Sequence, residues 1–274
     1  MIVSWAEAEA AWTRVLRAAG RSEQSIALRR HQLGRLAAAM RPRGPWSVTT
    51  DDLIGWLGEQ GWARETLRSH RAAVRSFYRW AHGAGHVARD PAAGLPAVRP
   101  APPMPRPTNA EALRQALATV SDERVHLALL LGARLGLRRG EMVLVHERDL
   151  VDDLVGYSLL VHGKGGRRRS VPVPATLARQ IRRACRAGGG WAFPGRIDGH
   201  LSAAYLGKLV SRVLPAGQST HGLRHRFATD AHRVNRDLVT VQELLGHASP
   251  ETTRRYVGAD EDELRRTVLA LAGY

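Results

Sequence analysis

Apolar side chains recur every three to four positions through residues 4–82, which is the spacing of amphipathic helices. The pattern predicts four helices: over residues 4–20, from a cap at Ser22 or Ser25 to Met40, from Thr50 onward, and over residues 64–82. Two aspartates follow Thr50, where the helix dipole favours negative charge. We therefore expect a helical domain at residues 1–90.

A proline-rich segment follows at residues 91–107 and holds 7 of the 14 prolines in the chain. Proline fixes φ and removes a backbone donor, so regular structure is disfavoured there. We expect an extended, semi-rigid linker between two domains.

The pattern beyond the linker predicts a mixed α+β domain at residues 108–274. Thr108 and Glu111 have the spacing of a capping box, which predicts a helix start. Further helices are expected near residues 109–119, 122–136, 175–187 and 202–214, and a last amphipathic helix over residues 260–271. Alternating apolar residues predict two strands, over 150–162 and 167–173, joined by a glycine-rich turn that carries Lys164.

Polar residues of the kind that bind a phosphodiester are concentrated in residues 220–256. His221 and Arg224 lie three positions apart, which places them on one face of a helix. An apolar helix then ends at Gly246, and His247 follows it directly. The serine and proline at positions 249 and 250 predict the start of another helix, and Tyr256 lies on that helix.

Two upstream segments complete the pattern. They read LGLRRGEM at residues 135–142 and VHGKGGRRRSVPV at residues 161–173. Together with HGLRHRFAT, ELLGHAS and TTRRY, in this order and spacing, they resemble the tyrosine recombinases, the phage integrase family. The resemblance extends from about residue 5 to the C-terminus. A Walker phosphate loop is excluded for the glycine cluster, because Gly165 stands where that loop needs Ser or Thr.

The resemblance implies a mainly α-helical fold. Its four N-terminal helices would form a SAM-like core-binding domain, and the second domain would be catalytic, with a small antiparallel sheet. It implies six catalytic residues, which are Arg138, Lys164, His221, Arg224, His247 and Tyr256. It also implies that the helix at residues 260–271 docks on a neighbouring subunit.

These residue types suit phosphoryl transfer. The guanidiniums of Arg138 and Arg224 can clamp the two non-bridging oxygens of a phosphate. A tyrosine costs about 4 kcal/mol to ionise at pH 7, so Tyr256 needs a cationic pocket or a base to attack as phenolate. The resemblance implies that Lys164 protonates the departing 5′-oxygen. We expect His247 to bind a phosphate oxygen, and Glu141 to orient the site from behind.

Each residue alone has a structural alternative, such as a surface position for Arg138, a helix start for His221 or a half-buried aromatic for Tyr256. Their joint occurrence makes these alternatives improbable. His221 and His225 have the spacing of a metal pair, but no Glu follows His221 directly and a third ligand is missing. We expect neither a metal nor a cofactor.

Charge indicates the partner. The formal net charge is +16, with +6 on residues 1–90 and +10 on residues 91–274. Such an excess favours nucleic acid as the partner, although a solubilising surface is the alternative. Of 41 basic residues only two are lysines, Lys164 and Lys208, so a lysine that remains is a candidate for a role that needs a lysine.

One basic surface is predicted on the fourth helix. Its arginines fall at spacings of four, three, four and four, and they are Arg64, Arg68, Arg71, Arg75 and Arg79. We call this set the α4 stripe. It would suit a helix lying along DNA, and the alternative is a solvated face.

Cysteine usage and hydropathy exclude other classes. The single Cys185 rules out an intramolecular disulfide framework and a cysteine zinc site. No apolar stretch is long enough for a membrane span and no basic signal region begins the chain, so we expect a cytoplasmic protein without a membrane partner.

The expected function is site-specific recombination through a covalent 3′-phosphotyrosine, without metal or nucleotide. The expected partners are double-stranded DNA attachment sites and further copies of this chain in a tetramer on DNA. An accessory protein that sets direction, or a host protein that bends DNA, is a further candidate partner. A type IB topoisomerase-like relaxase and a non-catalytic DNA-binding protein are the alternatives. Intact Arg138, Lys164, His221, Arg224 and Tyr256 argue against the second, and the final helix argues against the first.

Overall fold

The computed structural model describes residues 4–100, 107–154, 156–163 and 166–246. The chain divides into two compact units, with the boundary between Pro102 and Pro103. That boundary falls within the predicted linker. Of the predicted catalytic residues, Lys164, His247 and Tyr256 lie outside the described residues, as does the helix expected at 260–271.

The N-terminal unit contains the four predicted helices. They are α1 (Trp5–Ala18), α2 (Glu23–Ala39), α3 (Thr50–Glu59) and α4 (Arg64–Gly83). Reciprocal capping boxes start two of them, Ser4 with Glu7 on α1 and Thr49 with Asp52 on α3. Each box satisfies backbone N–H groups that the first turn of a helix leaves without partners.

Aromatic rings fill much of the core of this unit. Phe77 on α4 is fully buried and its ring contacts those of Trp5, Trp12, Trp46 and Trp80. Because large rings bury much apolar surface, this small unit gains a sizeable core from few residues. The helical period of the sequence and this core together fix the four-helix arrangement.

The C-terminal unit is built mainly from helices. They are α5 (Ala110–Thr119), α6 (Glu123–Leu135), α7 (Arg139–Met142), α8 (Ala175–Ala187), α9 (Ala203–Val213), α10 (Thr220–Asn235) and α11 (Leu238–Leu245). The predicted Thr108 cap is wrong, because Asn109 caps α5 by accepting from the N–H of Glu111 at 2.8 Å. Thr108 is buried, and its N–H donates to the carbonyl of Gly222 on α10 at 3.0 Å.

The predicted strand over residues 167–173 and its antiparallel pairing are confirmed, but the strand predicted over residues 150–162 is two strands. The sheet runs in the order β1 (Leu150–Asp153), β2 (Gly156–His162), β3 (Arg168–Val173), and both pairings are antiparallel. The chain reverses between β1 and β2, where Asp152, Asp153 and a left-handed Gly156 (φ 144°) interrupt the apolar alternation. A short strand β4 (Pro194–Ile197) was not predicted.

Two glycines, one in α6 and one at its end, let α6 approach α10 closely. A Cβ on Gly132 of α6 would lie 2.9 Å from the Leu223 Cβ of α10. Gly136 ends α6 in the left-handed conformation (φ 64°), and a Cβ there would collide with the Phe227 ring. The end of α6 therefore lies against α10. Across the described ranges, no helix is both long and apolar enough to span a membrane.

Candidate active site

The carboxylate of Glu141 is the centre of the site. Glu141 lies on α7 and its side chain is only 4% exposed. The N–H of Arg138 donates to Oε2 at 2.8 Å, and Nη1 of the same residue donates to Oε1 at 2.6 Å. Arg138 itself remains 38% exposed. The short helix α7 thus holds one arginine at the surface with a buried carboxylate behind it.

A second arginine, which sequence reasoning missed, binds the same carboxylate. Nη1 and Nη2 of Arg169 on β3 donate to the two Glu141 oxygens at 2.9 and 2.8 Å. Its Nε donates to the carbonyl of Leu244 at 2.8 Å. One signal was present in the sequence, since Arg169 alternates in phase with the buried Val171 and Val173 and so belongs to the inner face of the strand.

The third arginine, Arg224 on α10, is fully buried. Nη1 donates to the Gly136 carbonyl at 2.5 Å and Nη2 to the Leu245 carbonyl at 2.6 Å. Nη1 also lies 3.7 Å from Oε2 of Glu141. Arg138, Arg169 and Arg224, which we call the arginine cluster, therefore surround one carboxylate.

The arginine cluster keeps Glu141 ionised. Burial by itself raises the pKa of this carboxyl group. The hydrogen bonds and charge of Arg169, together with the N–H and charge of Arg138, outweigh that effect, and the net pKa lies below the ordinary value. Three cations against one anion leave the site positive, which suits a phosphate.

His221 occupies the first turn of α10, where its N–H donates to the Ser219 cap at 3.3 Å. Arg224 lies three positions further along the helix, so the two share a helix face. Burial of part of the imidazole lowers its pKa, although the outer part of the side chain is exposed, and the charges of Arg224 and Arg138 lower the pKa further. The ring is therefore neutral at pH 7 and able to accept a proton.

The start of the turn between β2 and β3 adjoins this cluster. The N–H of Gly163 donates to the Arg167 carbonyl at 2.7 Å. A Cβ on Gly163 would lie 3.7 Å from Oε1 of Glu141. The turn of the hairpin thus starts beside the carboxylate, one residue before Lys164.

The end of α11 lies on the other side of the cluster. Gly246 ends this helix with φ 63°, and a Cβ on it would be 2.9 Å from Cδ of Arg169. His247 is the next residue in the chain. Glycine is needed here for both the conformation and the space.

Comparison with known protein families decides the classification. The model of the phage integrase family matches residues 106–263, and that of the phage integrase N-terminal SAM-like domain matches residues 10–85. The chain belongs to the phage integrase family. Its fold class, a SAM-like helical domain followed by a catalytic domain with a small antiparallel sheet, is that expected from the sequence.

Relatives of this tyrosine recombinase include two proteins named tyrosine recombinase XerC. The one from Azotobacter vinelandii is 35% identical over 77% of this chain and 75% of its own length. The one from Vibrio parahaemolyticus is 30% identical over 89% of this chain and 87% of its own.

Solved structures share the fold. XerH site-specific recombinase, in a post-cleavage complex with palindromic difH substrate, has a TM-score of 0.74 at 21% identity, over 97% of this chain and 84% of that one. A dimer of lambda integrase residues 75–356 bound to a COC′ core site has a TM-score of 0.76 at 17% identity, over 95% and 97%. A lambda integrase tetramer bound to a Holliday junction gives 0.72 at 18%, over 91% and 79%.

The α4 stripe is placed on this integrase's N-terminal unit, and its members differ in exposure. Arg64, Arg68 and Arg79 are exposed, and Arg68 pairs with Glu65 at 3.0 Å. Arg71 instead donates to the Leu95 carbonyl at 2.7 Å, and burial lowers its pKa. Arg71 therefore has a structural contact that the pattern did not predict.

The predicted histidine pair is placed edge to face. The rings of His221 and His225 have centroids 4.6 Å apart at 84°. Within the described ranges, no group of three or more His, Cys, Asp or Glu side chains is arranged to hold a metal ion. Cys185 is buried, which raises the pKa of its thiol to about 11, so it is not a nucleophile at neutral pH.

Proposed function

We propose that this tyrosine recombinase cleaves and rejoins specific DNA sites through a 3′-phosphotyrosine on Tyr256. The observation that carries the proposal is the arrangement around Glu141, where a partly exposed Arg138 and a buried Arg224 adjoin one ionised carboxylate, and both arginines lower the pKa of the nearby His221. This arrangement combines fixed positive charge with a proton acceptor. Phosphoryl transfer at an alkoxide leaving group needs both.

Arg138 supplies the accessible contact with the phosphate. A guanidinium has five N–H donors, and the recorded side-chain bond to Glu141 uses one of them. Glu141 fixes the direction of the side chain while 38% of it faces solvent. Preorganised donors of this kind stabilise charge that develops in the transition state without moving when the reaction occurs.

Arg224 supplies the second charge. The carbonyls of Gly136 and Leu245 fix the orientation of its guanidinium. Because Arg224 is fully buried, it adds its positive charge to the site from below the surface.

The proposed reaction conserves the energy of the phosphodiester. The phenolic oxygen of Tyr256 attacks phosphorus, and His221 accepts the phenolic proton directly or through water. The bond to the 5′-oxygen breaks, and Lys164 protonates that oxygen. His247 binds a phosphate oxygen. The 5′-hydroxyl of a partner strand then attacks the phosphotyrosine and reverses these steps, so neither metal nor nucleotide enters.

The proposed partner is double-stranded DNA at attachment sites that flank the exchange point as an inverted pair, bound by four protomers. Support comes from the charge of +16 and from the likeness in fold to recombinases whose structures hold DNA. Two protomers facing each other across a duplex impose two-fold symmetry on the site.

The role of Arg138 is tested by comparing Arg138→Ala with Arg139→Ala, its exposed neighbour on α7. A cleavage site is first selected from random duplexes with the wild-type protein. Arg138→Ala should then cleave about 10² to 10³ times more slowly per bound complex, the size of losing an oxyanion donor. Arg139→Ala should stay near the wild-type rate. Equal rates for the two variants would overturn the proposal for Arg138.

A further inference from the structure

Arg169 is an inward-facing arginine at a position where β3 otherwise buries valines. Its side chain is 11% exposed. In antiparallel register it lies opposite Val161 on β2. An arginine on the buried face of a strand is expensive to desolvate, so its position needs compensating contacts.

Those contacts join three elements. Two nitrogens of Arg169 bind both oxygens of Glu141 on α7, and the third binds the Leu244 carbonyl on α11. All three nitrogens of one rigid, planar group are thereby used. Lysine cannot reproduce this geometry, because its ammonium is a single point of charge.

The contact with α11 completes the end of that helix. The last four carbonyls of a helix have no partner within it. Here the N–H of Gly246 donates to the carbonyls of Gln242 and Glu243. Arg169 donates to the carbonyl of Leu244, and Arg224 donates to that of Leu245. Two arginines of the cluster therefore fix the end of α11, and His247 follows two residues after its last residue, Leu245.

The contact with Glu141 also sets what Arg138 can do. Glu141 has two oxygens, and both accept from Arg169 and from Arg138. Without Arg169, Glu141 would lose two of these four hydrogen bonds, and only Arg224, at 3.7 Å, would share its charge with Arg138. The buried anion would then hold the Arg138 side chain more strongly. The exposed donors of Arg138 would be less available to a phosphate.

We propose that Arg169 is a positioning residue for strand cleavage. Arg169 compensates much of the negative charge of Glu141, so that Arg138 stays directed at the phosphate. Its hydrogen bonds also connect β3 and the end of α11 to the same carboxylate. This inference rests on the proposed function, since it acts through the phosphate contact of Arg138.

The test uses full-length Arg169→Lys, which keeps the positive charge beside Glu141 and so protects the fold. Cleavage is measured on the selected duplex with a normal scissile phosphate and with a methylphosphonate in its place. The methyl group removes the charge that the arginines neutralise. Arg183→Lys is the matched control. Arg183 on α8 forms an exposed ion pair with Glu123 on α6, at 2.9 Å.

Arg169→Lys should bind DNA like the wild type and cleave the phosphodiester about 10- to 100-fold more slowly, as for loss of an outer-shell partner in metal sites. On the methylphosphonate the deficit should shrink at least several-fold. Arg183→Lys should match the wild type on both substrates. An equal deficit on both substrates would show a merely structural role, and no deficit would show that charge alone suffices. Either result overturns the inference.

A replacement variant keeps the test decisive if Arg169→Lys does not fold. The double variant Arg169→Gln with Glu141→Gln is then measured against Glu141→Gln alone, with the same criteria.

Arg138→Ala distinguishes failure of this inference from failure of the proposed function. It is measured on both substrates, and its cleavage deficit should also shrink on the methylphosphonate. If only Arg138→Ala behaves as expected, the proposed function stands and the role of Arg169 fails. If Arg138→Ala shows equal deficits, the phosphate clamp fails, and this inference with it.

Discussion

A histidine that stays neutral beside two arginines is suited to accept a proton. His221 has this property because partial burial and the charges of Arg224 and Arg138 all disfavour the imidazolium. A histidine of ordinary pKa would be partly charged just below neutral pH. The site therefore keeps its acceptor available over a wider range of pH.

The titration of His221 in the free protein follows from this arrangement. Its pKa, followed by NMR of the ring protons, should lie below 6.5, and Arg138→Ala should raise it because a nearby positive charge is removed. The neutral acceptor form is therefore lost as pH falls through the lowered pKa, at a more acidic pH than for an ordinary histidine. Arg139→Ala serves as the control and should leave the value near that of the wild type. A pKa above 6.5, or no response to Arg138→Ala, would contradict the electrostatic account of His221.

Sequence reasoning could propose Arg138, His221 and Arg224 as site residues because each stands in a short local motif. Arg169 was missed for a physical reason. Its partners are 28 residues away at Glu141 and 75 residues away at Leu244, and two other arginines precede it in the chain. Only the tertiary fold distinguishes the inward arginine from its exposed neighbours.

At the scale of elements, local signals predicted helices better than strands. The four N-terminal helices follow from apolar period and capping residues, and α6 (Glu123–Leu135) agrees with the helix predicted near residues 122–136. The split of β1 from β2 was missed because the turn has only two residues between the strands, and apolar side chains continue through it. The short α7 is stabilised by the hydrogen bond from the Arg138 N–H to the carboxylate of Glu141 within its own first turn. A helix of four residues has too little apolar periodicity to be predicted from the sequence.

Substitutions in the α4 stripe should separate effects on DNA binding from effects on the thermal stability of the protein. Arg64→Ala and Arg79→Ala should weaken DNA binding and each reduce the log–log salt slope by about 1, if each contacts one phosphate. Arg71→Ala should instead lower the melting temperature, because the Leu95 carbonyl loses its donor.

The control for this series is Arg17→Ala, whose charge already pairs with Glu23 at 2.8 Å on the same unit. It should change neither the salt slope nor the melting temperature appreciably. Binding is measured by titration at several salt concentrations, and stability by thermal unfolding. An unchanged slope in Arg64→Ala and Arg79→Ala would leave the stripe as a solvated face.

At the scale of the whole molecule, both units match parts of the phage integrase family and both carry a net positive charge. A protein that binds DNA with two domains needs excess positive charge on each of them. Three expectations stay predictions: DNA binding by both units, the four-protomer assembly and the docking of the helix at 260–271. They depend on partners and on residues outside the described ranges, which neither motif spacing nor local packing can supply.

The central claim is that Tyr256 becomes covalently joined to DNA, and one measurement tests it directly. The full-length protein is incubated with a duplex that is nicked beside the cleavage point, so that the short 5′-hydroxyl fragment diffuses away and religation is prevented. Wild type should give a protein–DNA adduct that survives denaturant, in the presence of EDTA. Tyr205→Phe, which alters an exposed tyrosine on α9, should give the same adduct. Tyr256→Phe should bind the duplex and give no adduct, and an adduct formed by Tyr256→Phe would contradict the account.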